Sequence, residues 1–122
     1  ETRYTLEHLW LRLSDSGATV GVTCFAMQAL GTVAHVRLPQ PGRRVQTGEA
    51  CADIETVKAA SEVEAPVGGT ILQANTALLD DPAPLGTDPE GTGWLFRIAP
   101  DDPAELDAFM DAAAYTAFLD AL

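Results

Sequence analysis

Lys58 is the only lysine in the chain; the other six basic residues are all arginine. The distinction is chemical. A lysine amine can be acylated to a stable amide, and a guanidinium serves poorly as such a nucleophile. A sole lysine is therefore a candidate for covalent attachment, weighed against the plainer reading of a solvated turn residue. Its flanks favour attachment. Residues 50–55, Ala50-Cys51-Ala52-Asp53-Ile54-Glu55, alternate small or apolar with polar side chains, and residues 61–65 alternate again. That period of two predicts strands. Pro66 and Gly68-Gly69 stop the second one. Two short strands predict a hairpin with Lys58 at or near its tip, open to a modifying enzyme. Asp53, Glu55, Glu62 and Glu64 surround the lysine, and Val57 and Ala59 are its immediate neighbours.

Other reactive residue types carry weaker signals. Catalysis by His8 or His35 would need a partner within hydrogen-bond reach, and no such pairing is visible. Both are read as structural residues on strands. Glu55, Glu62 and Glu64 could act as general acids and bases, but as a group they read as the polar face of the hairpin and an acidic surface for partners. Gly68-Gly69 lacks the Lys-Ser or Lys-Thr that a phosphate loop requires. Cys24 and Cys51 are far apart and match no metal or redox spacing, so they read as two free, mostly buried thiols. Free thiols fit a reducing compartment, and the expected location is cytoplasmic.

At 122 residues the chain is expected to form a single domain, 1–122. No apolar run approaches the ~20 residues of a membrane helix. The chain starts at Glu1 rather than Met, so a removed leader stays an open reading. The net charge is −11, which opposes binding to phosphate backbones and favours docking to basic protein surfaces.

The positioning elements follow from pattern. Residues 4–13 predict one or two strands, 14–17 a turn, and 18–23 a strand. Residues 24–30 lack β-branched side chains and end at Gly31, which predicts a short helix with a glycine stop. Residues 32–38 predict a strand, broken at Pro39 and Pro41-Gly42, and Val45 begins another. Residues 69–75 predict a strand, 75–93 a long surface loop rich in Pro, Asp and Gly, and 94–99 the last strand. Asp102-Pro103 marks a helix start. Leu106, Phe109 and Met110 then fall on one helical face, and Tyr115, Phe118, Leu119 and Leu122 on a second. Many short strands with frequent turns predict a mainly β fold, a sandwich or flattened barrel.

Glu55-Thr56-Val57-Lys58-Ala59-Ala60-Ser61, followed by Ala65-Pro66-Val67-Gly68-Gly69 and Asn75, resembles the lipoylation site of the glycine cleavage H-protein family. Tyr4-Thr5-Leu6-Glu7-His8-Leu9-Trp10, Val20-Gly21-Val22-Thr23, Ala29-Leu30-Gly31, Leu38-Pro39-Gln40-Pro41-Gly42, Thr47-Gly48-Glu49 and Gly93-Trp94 follow in the family's order. The resemblance runs from Tyr4 to the C terminus. It implies a barrel-sandwich hybrid of two sheets related by a pseudo-twofold, with a short inserted helix and C-terminal helices. It implies a non-catalytic swinging-arm carrier with lipoic acid amide-linked to Lys58, flanked by Glu55, Val57, Ala59 and Glu62. Amidation removes the lysine charge, taking the net charge to −12. Implied partners are a lipoate ligase or lipoyl transferase, dihydrolipoamide dehydrogenase and client enzymes; a monomer is expected. A biotinyl domain would show methionines beside the lysine, where this chain has Val57 and Ala59. An unmodified scaffold of the same fold is the other rival.

Two departures bear on the client. In the family the aminomethyl-loaded arm folds into a cleft, where its amine meets the glutamate of a His-Glu-Trp motif and an acid four residues after the lysine. Glu62 matches the second, but the motif here reads His8-Leu9-Trp10. Thr23-Cys24-Phe25-Ala26-Met27-Gln28 also departs from the usual Thr-Asp-Tyr-Ala-Gln. These departures lean the expectation toward a related carrier, the H-like lipoate-binding protein of sulfur oxidation, whose client is a heterodisulfide-reductase-like complex. The alternative is the H protein of glycine cleavage, serving glycine decarboxylase and aminomethyltransferase.

Overall fold

The computed structural model describes residues 1–122. Its elements in chain order are β1 (Thr2–Tyr4), β2 (Leu9–Ser14), β3 (Gly17–Val22), α1 (Cys24–Leu30), β4 (Val33–Arg37), β5 (Arg44–Val45), β6 (Ala50–Thr56), β7 (Ala60–Glu64), β8 (Gly69–Ala74), α2 (Ala77–Asp80), α3 (Ala83–Thr87), β9 (Phe96–Pro100), a 3-10 helix (Pro103–Ala108) and α4 (Ala112–Asp120). The fold is mainly β, as the alternating patterns predict. Two antiparallel sheets form, one of six strands in the order β1-β2-β3-β9-β8-β5 and one of three in the order β4-β6-β7.

One core joins the sheets. Leu11, Val20, Ile71 and Ile98 of the larger sheet share a buried cluster with Val36, Ile54 and Val63 of the smaller. Alternation along each strand sends these side chains to one face. Trp10 points to the other face and is still fully buried. It lies flat against Gly21, where an added Cβ would sit 2.6 Å from its ring nitrogen. That nitrogen donates to Pro89 O at 2.9 Å.

The inserted helix forms as expected. The Thr23 hydroxyl accepts from Ala26 N, and Gly31 N–H closes the last turn on Met27 O. Gly31 takes φ 88° with ψ −151°. This is positive φ, in an extended region that glycine enters at little cost, rather than the left-handed helical well.

Residues 75–93 are not the expected long surface loop. They contain α2 and α3, which drive Leu78 and Leu85 into the core. The Asn75 amide staples the segment by donating to Thr92 O (3.0 Å) and Trp94 O (2.8 Å). Burial of two leucines outweighs the local Pro and Gly content. His8 is not on a strand either: β1 and β2 are separate, and His8 sits in the turn between them at φ 66°. The predicted face of Leu106, Phe109 and Met110 is also broken. A 3-10 helix starts at the expected Asp102-Pro103 cap and ends at Ala108. Met110 then exchanges backbone hydrogen bonds with Tyr4, so its own backbone is extended, not helical. In α4 Tyr115 is buried, but Leu122 lies beyond the end of that helix and is exposed. No helix is long and apolar enough to cross a membrane.

Candidate functional site

The lysine hairpin is formed by β6 and β7, with Asp53 opposite Glu62, Ile54 opposite Ser61 and Glu55 opposite Ala60. Thr56 organises its tip. Thr56 N–H donates to Ala59 O at 2.8 Å. The Thr56 hydroxyl donates to the same oxygen at 3.1 Å and accepts from Lys58 N and Ala59 N, each at 3.2 Å. One buried side chain thus holds three residues of turn backbone. Val57 N–H also reaches Thr32 O at 3.4 Å, tying the tip to the end of α1. The backbone is held while the side chains are free. Lys58 is exposed, makes no side-chain hydrogen bond or ion pair, and stands beside Val57, itself 75% exposed. Glu55, Ala59 and Glu62 are exposed as well.

The carboxylates divide between two surfaces. Asp53 and Glu55 share the outer face of the small sheet with His35 and Arg37, and Arg37 approaches Asp53 at 3.9 Å. Glu62, on the outer strand β7, also lines a cleft of about 510 Å³ on its other side. Glu7, Leu9, Thr47, Glu64 and Phe109 line that cleft too, and no basic residue does. Leu9 is only 6% exposed and belongs to the core cluster, so its side chain forms apolar floor. The sequence reading missed Glu7, Phe109 and Thr56. Glu7 and Phe109 reach the cleft only through tertiary packing. Thr56 carried a signal, a hydroxyl two residues before the lysine at a strand end.

His8 serves a structural network. Its Nδ1 is 2.8 Å from the Tyr115 hydroxyl, which is 3.0 Å from the Thr23 hydroxyl. Its ring packs against Phe25 at 4.5 Å and Phe118 at 5.7 Å. Tyr4 stacks on Tyr115 at 4.5 Å. The departing residues of the α1 segment are absorbed here: Phe25 covers His8, and Met27 is core. Cys24 is exposed, contrary to the expectation of two buried thiols, because it opens the helix on its outer side. Its N–H is bound by Glu90 at 3.2 Å, and partial burial and that carboxylate raise its pKa. Cys51 is buried, which pushes its thiol up to about 11.

The family model described as glycine cleavage H-protein matches residues 2–121. The chain belongs to the glycine cleavage H-protein family. It is 50% identical over 119 residues to the glycine cleavage system H protein of Acidiphilium cryptum, covering 98% of this chain and 96% of that one. Against the H protein of Halorhodospira halophila it is 47% identical over 116 residues, covering 94% and 89%. The crystal structure of the H protein from Mycobacterium marinum superposes with a TM-score of 0.86 at 36% identity, covering 99% of this chain and 97% of that one. As a member of the H-protein family the chain is a non-catalytic carrier protein rather than an enzyme.

Proposed function

We propose that the chain is the aminomethyl carrier of glycine cleavage, with lipoic acid amide-linked to Lys58. The observation that carries this reading is the lysine itself: the chain's one lysine, exposed, unpaired and presented by a turn whose backbone Thr56 holds. The residues fit the group. An acylating enzyme needs a free amine on a fixed backbone, and nothing here competes for it. Val57 and Ala59 leave the approach clear, and Glu55 and Glu62 provide acidic surface for a lipoate ligase or lipoyl transferase to grip. When attached, the group supplies a dithiol that accepts and releases cargo by reversible bonding through sulfur. The chain's contribution is reach. Tethering raises the arm's effective concentration at each docked partner, here glycine decarboxylase, aminomethyltransferase and dihydrolipoamide dehydrogenase.

This client replaces the sulfur-oxidation lean. The H-protein relatives support glycine cleavage, and nothing in them points to a heterodisulfide-reductase-like complex. The two departures behind that lean have packing explanations: Leu9 and Met27 are core, and Phe25 covers His8.

The test is intact mass followed by reconstitution. Protein from native cells is expected to carry one lipoyl increment, mapped to Lys58. A biotin increment, or a lipoyl group elsewhere, would overturn the assignment. The Lys58→Arg variant is expected to fold with an unchanged Tm and take up no lipoate. With glycine, glycine decarboxylase and aminomethyltransferase, lipoylated protein is expected to support turnover; absence of turnover would reject this client.

A further inference from the structure

On the outer face of the larger sheet, turned away from the sheet that carries Lys58, one row of residues runs across five strands. The register sets Thr2 opposite Arg12, Arg12 opposite Thr19, Thr19 opposite Arg97 and Arg97 opposite Gln73. The same device holds both arginines. Arg12 Nε donates to the Thr2 hydroxyl at 3.0 Å, and its guanidinium lies 4.7 Å from the centre of the Trp10 ring. Arg97 Nε donates to the Thr19 hydroxyl at 3.1 Å, and its guanidinium lies 4.4 Å from the centre of the Trp94 ring. Arg12 Nη2 also donates to Glu90 O at 3.4 Å, and Arg97 Nη1 to Gln73 Oε1 at 2.6 Å. The remaining guanidinium donors have no protein partner. Charge sets these two residues apart. Arg3, Arg37, Arg43 and Arg44 each pair with a carboxylate. Arg12 and Arg97 do not, in a chain of 18 acidic residues and net charge −11. Covering a tryptophan needs only the apolar stem of an arginine. A charged fork that is pinned at Nε and left without a counter-ion is already ordered for a carboxylate.

We propose that Arg12 and Arg97 form a docking surface for an acidic helix of a partner protein. Two strand spacings separate their backbones, about 10 Å. Residues i and i+7 of a helix are about 10.5 Å apart along its axis, so glutamates at that spacing meet both arginines. Same-face residues of a strand, about 7 or 13 Å apart, do not match. The rest of the strongly acidic surface repels an acidic partner, and this row is where such a partner gains contact. The same net charge opposes a polynucleotide or a second copy of the chain as occupant. This surface deepens the carrier reading: a partner gripped here leaves Lys58, on the other sheet, free to swing.

The probe is a synthetic helical peptide of alanine and glutamine with two glutamates at i and i+7, titrated into the full chain at low salt. Binding is expected to weaken about tenfold in the Arg12→Met/Arg97→Met double variant, and to weaken as salt is added. Methionine keeps a stem over each tryptophan, so Tm and lipoylation of Lys58 are expected to hold. Arg44→Gln, at a paired arginine, is expected to leave binding unchanged. Equal affinity in wild type and double variant would overturn the proposal. Two further arms need only the wild type. Equal affinity for a peptide with its glutamates at i and i+2 would overturn it, and so would full competition by inorganic phosphate at matched ionic strength, the mark of a simple anion site. Self-association of the chain that the double variant abolishes would assign the row to a second copy and overturn it too. In reconstituted glycine cleavage the double variant is expected to raise KM for the carrier rather than lower kcat; an unchanged KM with every partner enzyme would overturn the proposal. Absence of turnover with wild type would reject the client alone, and the peptide titration would still decide the surface.

Discussion

At the residue scale, Tyr115 shows how much one hydroxyl joins. It reaches His8 on the β1–β2 turn and Thr23 at the start of α1, while its ring stacks on Tyr4 of β1. Burial raises its pKa, so the hydroxyl is neutral and able both to donate and to accept. Tyr115→Phe keeps the stacking and removes the bridge. It is expected to cost about 1–2 kcal/mol, since His8 Nδ1 and the buried Thr23 hydroxyl each lose one partner and Thr23 keeps only Ala26 N, and to lower Tm by about 3–8 °C. Scanning calorimetry would show this; an unchanged Tm would mean that the stacked ring alone seats α4. The sequence placed Tyr115 on an apolar stripe but gave no sign of its polar partners, which lie about a hundred residues away. Lys58 was legible for the opposite reason. Its signal is local, a unique amine between two alternating segments.

At the element scale, the lysine hairpin and α1 were both readable from pattern and stop signals. Period-two alternation and Pro66 bound β6 and β7, and Thr23 and Gly31 bound α1. Gly31→Val is expected to destabilise by about 1 kcal/mol or more because positive φ strains a β-branched residue. Open space surrounds the site, so no clash adds to this cost. Urea titration would measure it, with the midpoint falling and the slope unchanged. A midpoint equal to that of wild type would show that the junction relaxes to negative φ. The stretch 75–93 failed as a reading because its local chemistry is that of a loop. Leu78 and Leu85 are helical only because the core accepts them, and isolated helices of four or five residues do not hold in water.

At the scale of the whole molecule, charge and burial set the response to pH. Arg44 holds Asp101 below the usual carboxylate range, and Arg43 does the same for Glu49. Both pairs are on the surface and contribute little. Cys51 is the buried case. Its folded value, about 11, lies above its ordinary value of 9.0. A raised folded pKa means that the native state holds its proton longer than the unfolded state. Its stabilising contribution is therefore complete below about pH 9 and is lost as pH rises through about 11. Cys51→Val is expected to flatten the decline in Tm between those values; an identical decline would assign it to other groups. A thiol reagent at neutral pH is expected to label Cys24 alone until the protein unfolds. Strand periods, the α1 boundaries and the one lysine were legible in the chain alone, because each depends on neighbouring residues. Packing alone reveals that Val57 N–H ties the lysine turn to Thr32, that Leu9 is cleft floor, and that Glu7 shares the cleft with Glu62. Those placements come from packing two sheets on one core, which brings together residues that no local spacing relates.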